Sequence, residues 1–476
     1  MSKNKKLIQG TLIYAIGSFG TKILNFLIVP LYTYYILPGD LGDYDLLMTT
    51  VSLISPLITL KISDATYRWI INKKENEKVY ISATYKLLLR NSIVIALTIL
   101  AINYFFPIWN VTYFILILIG DRILECIQKI LRGLKNQRLF AFSGILHSFI
   151  FLSFNFISIV ILHKGVRSIL LSNVFSLYTT IIVLFVIETR LRNVNMHMHY
   201  KIQQKEMLQY SAPLVPSALS WWVMSASDRY VIRFFLGSVS NGIYSVAYKF
   251  PSILQIMFQM FNNSWTDLAL SELKSDKETK KYVGSIFEEL YKFSFGMSLI
   301  LMPLTKLVMN IILSESYKIA SVYVGFLYLG TVFQGLSSFC SVGYLMGKKT
   351  KGAAKTSIYG ALTNLFVNLI LIKYVGLFAA AFSTFVGFFI MWITRMYDVK
   401  DDFPIALNKF KFTIYLFLAI SMSIVVIFTN TAVDIILILC TTFIFVIFNI
   451  NIIKKIVDKL YNFMFNGRMK NNVKQK

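Results

Sequence analysis

The chain has 476 residues, is 56% hydrophobic, and carries a formal net charge of +25; its mean hydropathy is +0.63. A water-soluble chain of this length could bury a large core, but it would not gather its apolar residues into fourteen long runs. The positive charge sits in short gaps beside those runs, which points to anionic lipid headgroups and away from nucleic acid.

Taking a span as roughly 20 residues, the runs predict an all-α integral membrane protein of about 14 helices. Spans 1 to 6 cover about 8–36, 43–70, 82–106, 111–132, 139–162 and 167–188. Spans 7 to 12 cover about 209–236, 242–268, 285–312, 319–346, 354–373 and 376–396, and spans 13 and 14 about 411–429 and 432–453. Of the 48 lysines and arginines, 36 lie in or beside the two tails and the even-numbered gaps. The odd gaps hold only Lys164, Arg167, Lys318 and Lys373. The positive-inside rule therefore predicts that both termini are cytoplasmic. Lys3, Lys5 and Lys6 precede a first run of roughly 28 residues, which reads as an uncleaved anchor because a signal peptide is shorter.

The longest connection, Glu188 to Gln209, is predicted to be cytoplasmic and separates spans 1–6 from spans 7–12. This divides the chain into an N-lobe at 1–189, a linker at 190–208, a C-lobe at 209–397, and a segment at 398–476 with spans 13 and 14 and a basic tail. A weak repeat supports two lobes. Gly42 and Tyr44 recur as Gly242 and Tyr244, and Ile8-Gln9 as Leu208-Gln209. Lobes six helices apart keep their orientation, so they are parallel repeats. Pro30, Pro56, Pro213, Pro216, Pro251 and Pro303 fall inside spans and are expected to kink them. Pro213 and Pro216 follow the linker, as either a hinge or a static kink.

Ionisable groups at membrane depth are costly, so they face a cavity, a partner or the interface. In span 1, Lys22 shares a side with Thr11, Tyr14, Ser18, Asn25 and Thr33, a polar stripe that suits a cavity wall; an ion pair or snorkelling is the alternative. In span 2, Lys61 lies beside Asp64 and Arg68. It either faces a cavity with Asp64 as partner or snorkels. Span 4 carries Asp121, Arg122, Glu125, Lys129 and Arg132. Arg122 there is either neutralised locally or functional. In span 7, Asp228 and Arg229 are adjacent and so require different partners. Asp228, and after it Asp64, is a candidate site for a coupling cation or proton. Span 8 carries a stripe of Ser245, Tyr248, Ser252, Gln255, Gln259 and Asn262 with Lys249 at its edge, which reads as cavity lining. Lys292 and Lys306 lie nearer the ends of span 9, where snorkelling is expected.

The deep charges lean positive: Lys22, Lys61, Arg122, Arg229 and Lys249 face only Asp64, Asp121, Glu125 and Asp228. A surplus of positive charge suits an anionic substrate, phosphate above all, and lysine binds phosphate as a point charge. Cys126, Cys340 and Cys440 are widely spaced, no CxxC occurs, and His197 and His199 lie in a basic loop, so neither metal site nor disulfide is expected. Without a Walker A loop, HExxH or GxSxG, the chain is not expected to be an enzyme or to need a cofactor.

Four stretches carry a family resemblance: GTLIYAIGSFGTKILNFLIVPLYTYYILPGDLGDYDL; LRGLKNQRLFAFSGIL; LQYSAPLVPSALSWWVMSASDRYVIRFFLG with NGIYSVAYKF; and VGLFAAAFSTFVGF. The chain resembles the polysaccharide flippases of the multidrug/oligosaccharidyl-lipid/polysaccharide (MOP) exporter superfamily. The resemblance implies two six-helix lobes around a central cavity, plus two C-terminal helices. It also implies alternating-access transport of an undecaprenyl-pyrophosphate-linked glycan to the outer leaflet of the bacterial cytoplasmic membrane. Basic residues in helices 1, 2 and 8 of such cavities correspond here to Lys22, Lys61 and Lys249. The candidate substrate set is then Lys22, Asn25, Lys61, Arg122, Arg229, Lys249, Ser252 and Gln255, with Na+ or H+ as coupling ion and anionic cytoplasmic-side lipids as surroundings. The alternative is a cation-coupled multidrug exporter of the same superfamily, against which the deep lysines argue. A membrane polymerase or glycosyltransferase would need a large outer loop or an acidic catalytic motif, and the sequence has neither.

Overall fold

The computed structural model describes residues 26–72, 77–163, 165–198, 200–272, 277–347, 350–400, 403 and 405–449. Among them the regular structure is helical throughout. Helix α1 (Phe26–Tyr35) leads through Ile36 and Leu37 into α2 (Pro38–Thr59). Pro38 opens α2 where a missing N–H costs nothing, and Asp40 sits against the positive end of the helix dipole. Leu60 and Lys61 then take left-handed φ values of 45° and 57°. The chain bends by 55° there into α3 (Ile62–Asn72). Predicted span 2 is thus two helices.

Helices α4 (Glu77–Phe105), α5 (Val111–Gly133), α6 (Gln137–Phe156) and α7 (Val166–Ile187) follow. With α2 and α3 they share one apolar core that includes Val51, Ile62, Leu87, Ile127, Leu131 and Leu184. Hydroxyls bridge its helices where lipid offers no partner: Thr66 and Thr84, both fully buried, hydrogen-bond at 2.7 Å.

The connection after α7 is not a free tether. It holds a further helix, α8 (Lys201–Ser211), and is tied to the first core. Lys86 donates to the Met196 and Met198 carbonyls at 3.3 and 3.1 Å. Gln204 donates to that of Ala83 at 2.9 Å, and the Arg68 guanidinium lies 4.5 Å from the Tyr210 ring. Glu188 accepts from Asn136 and Arg190, and Arg190's hydrogen bonds hold its carboxyl below the usual carboxylate range. The break comes later, at one 3-10 turn over Ala212–Leu214, before α9 (Val215–Ala226).

Helix α10 (Asp228–Lys249) is two helices joined at Gly237, whose φ of 84° lies where only glycine is unstrained. Predicted spans 7 and 8 therefore meet with no intervening loop, and span 8 continues past Pro251 as α11 (Ser252–Glu272). Next come α12 (Lys277–Ile312), the short α13 (Glu315–Lys318), α14 (Val324–Met346), α15 (Thr350–Val375) and α16 (Leu377–Asp398). The last two are α17 (Lys409–Phe428) and α18 (Thr431–Phe448).

These helices share a second core, dense in aromatic rings. Phe333, fully buried, has Phe295, Phe385, Phe389, Trp392 and Phe412 at centroid distances of 5.0 to 6.3 Å. Helix α1 packs into this second core through Ile28, Val29 and Tyr32, as does Ile36 just after it. Ser314 donates to the Thr33 carbonyl of α1 at 2.5 Å, and Tyr317 to the Ile36 carbonyl just beyond it at 3.0 Å. Lys306 does not snorkel as expected. It is buried, donates to the Val426 and Thr429 carbonyls at 2.6 and 2.5 Å, and lies 3.6 Å from the fully buried carboxylate of Asp434. It fastens the α17–α18 turn to α12.

Among the described residues, eight helices are long and apolar enough to cross a membrane, or nine if the α2–α3 pair is one span. Fourteen is not reached by length and apolarity alone. Helix α5 carries five charged residues, α9 to α11 are interrupted, and α1 and α18 are short in their apolar extent.

Candidate functional site: a cationic cavity beneath a closed helix contact

At the end bearing the odd-numbered gaps, α2 and the second half of α10 touch backbone to backbone. A Cβ on Gly42 would lie 2.0 Å from the Ser238 carbonyl oxygen, and one on Gly242 would lie 1.9 Å from that of Pro38. The contact is reciprocal at the 200-residue offset of the sequence repeat, and any larger residue would force it apart. Asn241 donates to the Gly42 carbonyl at 2.7 Å and Ser238 to the Asp43 carboxylate at 2.5 Å. Arg233 lies 3.2 Å from the same carboxylate. Farther along α2, Trp222 donates to Ser52 at 2.9 Å, and Tyr230 and Thr50 share a hydrogen bond at 2.6 Å.

Beneath this contact lies a cavity of about 510 Å³ walled by α1, α2, α6, α7, α10 and α11. Its polar lining is Tyr32, Tyr44, His147, Asn173, Lys249 and Ser252. The Lys249 ammonium stands 5.1 Å from the Tyr32 ring and, among the described residues, forms no ion pair. Arg229 is buried, with its guanidinium 4.3 Å from the Tyr248 ring. It donates to the Ser225 carbonyl at 2.7 Å, and its Nε is 3.5 Å from Asp45 Oδ2. That oxygen is itself buried and accepts no hydrogen bond among the described residues. Arg229 is thus held loosely by one carboxylate on α2, and Lys249 has no carboxylate within ion-pair distance among the described residues. Contact with tyrosine faces stabilises a cation without neutralising it, and in surroundings less polar than water the surplus charge acts strongly on an incoming anion.

A second polar centre lies inside the C-terminal helices. Asp228 is fully buried. It accepts from Tyr244 at 3.0 Å, Thr384 at 2.7 Å and Asn368 at 3.2 Å. These donors are neutral, and among the described residues the carboxylate forms no ion pair. The Asn368 Oδ1 beside it is buried without a donor. A carboxylate with hydroxyl and amide oxygens is a hard-oxygen environment suited to a small cation or a proton. As required of adjacent helical positions, Asp228 and Arg229 have different partners.

The remaining predicted site residues scatter. Lys22 and Asn25 lie outside the described residues. Ser252 lines the cavity and donates to the Lys249 carbonyl at 2.5 Å. Gln255 donates to the Tyr248 hydroxyl at 3.4 Å. Asp64 is paired with Lys129 of α5 and not with Lys61, one of the two alternatives the sequence left open. The bend at Leu60–Lys61 takes Lys61 off the helical face that carries Asp64, and among the described residues its ammonium forms no ion pair. Arg122 is clamped by Asp121 and Glu125 of its own helix, which makes it locally neutralised.

Residues 7–266, more than half of the chain, match the model of the polysaccharide biosynthesis protein family. The chain belongs to that family. Its fold is that of MOP-superfamily transporters. The lipid II flippase MurJ in an inward closed conformation superposes with a TM-score of 0.68 at 17% identity, covering 93% of this chain and 100% of that one. An inward-facing multidrug resistance MATE family transporter of the MOP superfamily gives 0.61 at 15% identity, covering 80% of this chain and 95% of that one. An outward-facing one gives 0.57 at 16%, covering 86% and 96%. At these identities the likeness is one of fold. Comparison with curated proteins finds no match.

Asp45, His147 and Asn173 were not singled out from the sequence, and Tyr44 only as part of the repeat. Asp45 stands near the predicted start of span 2, where a charge is unremarkable. Proline followed by acidic residues does mark a helix start, and from Pro38 it places Asp45 in the third turn of α2. His147 and Asn173 are lone polar residues in apolar helices, with no local signal that separates cavity from core.

Proposed function

We propose that this protein is a flippase that moves an undecaprenyl-pyrophosphate-linked oligosaccharide from the inner to the outer leaflet of the bacterial cytoplasmic membrane by alternating access. The observation that carries this reading is Lys249, a cation without a counter-ion on a cavity whose other polar walls are tyrosine, histidine, asparagine and serine. The pyrophosphate binds Lys249, with Arg229, Lys22 and Lys61 contributing charge. Tyr32, Tyr44 and Asn173 offer ring faces and hydrogen bonds to sugar, and the polyprenyl tail stays in lipid. The moving parts are an N-lobe at 1–189 and a C-lobe at 209–397 joined by the linker at 190–208. The segment at 398–476 adds two helices. Both termini are cytoplasmic by the positive-inside rule, which makes the Gly42–Gly242 contact the outer gate. Asp228 takes the coupling Na+ or H+.

The test is translocation of a fluorescent undecaprenyl-pyrophosphate oligosaccharide in proteoliposomes. Lys249→Ala should lower the rate roughly tenfold or more, as expected for loss of a charge-assisted hydrogen bond, and Lys249→Arg should retain most of it. An unchanged rate for the alanine variant at equal membrane level would remove the main support for the reading. The buried oxygens around Asp228 also suit the second reading, a cation-coupled multidrug exporter. A cationic drug would be repelled by Lys249, so cation-driven efflux of a cationic dye that Lys249→Ala leaves intact would favour that reading.

A further inference from the structure

Asp45 is held more loosely than Asp228 and Asp43. Asp228 accepts three hydrogen bonds, and Asp43 is engaged by both Ser238 and Arg233. Asp45 Oδ2 is shielded from solvent, accepts no hydrogen bond among the described residues, and has Arg229 only at 3.5 Å. It also spans the contact between helices: Asp45 is on α2, whereas Arg229 is on α10. We infer that Asp45 is an internal stand-in for the substrate's phosphate. It occupies Arg229 while the outer contact is closed and surrenders it to an anionic headgroup drawn in by Lys249.

The proposal rests on the cationic-cavity reading above and adds a condition to it. A diphosphate carries more negative charge than one carboxylate, so it wins Arg229 by Coulomb attraction. Its arrival leaves Asp45 facing a like charge with no cation of its own. The closed arrangement, and only that arrangement, is then penalised. A ligand shifts a conformational equilibrium only through such a difference between states. The outer contact therefore opens when anionic cargo is loaded and stays shut when the cavity is empty or holds a cation.

The experiment reads access to the cavity from the odd-gap side. Met48, which lines the cavity, is replaced by Cys in a Cys440→Ser background and labelled in proteoliposomes with a membrane-impermeant maleimide. The probe is undecaprenyl pyrophosphate. With Asp45 intact, labelling is expected to be slow without the lipid and roughly fivefold or more faster with it, in the usual range of coupling between two sites. Asp45→Asn should be labelled fast in both conditions, and Asp45→Glu should regain the lipid dependence. Arg229→Gln breaks the same link from α10, should also label fast in both conditions, and carries the test if the Asn variant does not fold. If the parent responds to the lipid but Asp45→Asn and Arg229→Gln stay slow without it, the stand-in role is overturned and the cationic cavity survives. If the lipid neither binds the parent, by thermal shift, nor changes its labelling, both readings fall together.

Discussion

Lys249 and Lys306 show how one residue type serves opposite ends inside the same helix bundle. Lys306 is satisfied: two carbonyls and Thr429 accept from it, and Asp434 lies alongside. Lys306→Met leaves Asp434 buried without its cation and is expected to cost about 3–5 kcal/mol. The double variant Lys306→Met/Asp434→Leu should recover most of that loss, measured by thermal unfolding in detergent. Lys249 is left with a ring face and a cavity, so its alanine variant should lose transport and keep stability. Asp228 is intermediate, hydrogen-bonded but not charge-matched. Asp228→Asn keeps much of the hydrogen bonding and removes the charge. Transport by that variant is expected to stop responding to an imposed Na+ or H+ gradient, while its amount in the membrane stays close to that of the parent.

Between elements, the decisive feature is the reciprocal approach of α2 and α10. A methyl group on Gly42 or Gly242 meets backbone, the carbonyls of Ser238 and Pro38, which cannot swing aside as a side chain would. Gly42→Ala and Gly242→Ala are each expected to part the two helices. Maleimide labelling of the Met48→Cys reporter from the odd-gap side should then quicken whether or not lipid is present. Neither glycine has a positive φ, so alanine strains no dihedral there, and normal labelling would mean that the helices re-seat with little effort. Helix α8 makes a complementary point. It is bound to the first core through Arg68 and Ala83, and the segment before it through Lys86, so the first departure from that core is the 3-10 turn at Ala212–Leu214.

For the molecule as a whole, the proposed cycle requires the two cores to separate at one end while they meet at the other. Asp43 and Ser238 face each other across the closed contact, with side-chain oxygens 2.5 Å apart. The pair Asp43→Cys/Ser238→Cys is expected to cross-link under mild oxidation. Transport should then stop, and a reducing agent should restore it. Full transport by the cross-linked protein would exclude an opening at this contact as part of the cycle.

Features that depend on neighbours in the chain were legible in the sequence. Most helices lie within a few residues of the apolar runs, because burial of the backbone in lipid demands helix. The family was recognisable from its motifs. Lys249 and Ser252 were placed on one cavity-facing stripe because a helix has a fixed period. Features that depend on how separate helices meet were not legible. The left-handed pair at Leu60–Lys61 separates Lys61 from Asp64, and Lys129 takes its place from 65 residues away. Lys306 finds its acceptors some 120 residues later. Asp45 acquires meaning only because α10 brings Arg229 against it. Hydropathy and helical period are sums over adjacent residues, whereas ion pairing at membrane depth is settled by whichever charge tertiary packing delivers to within a few ångströms.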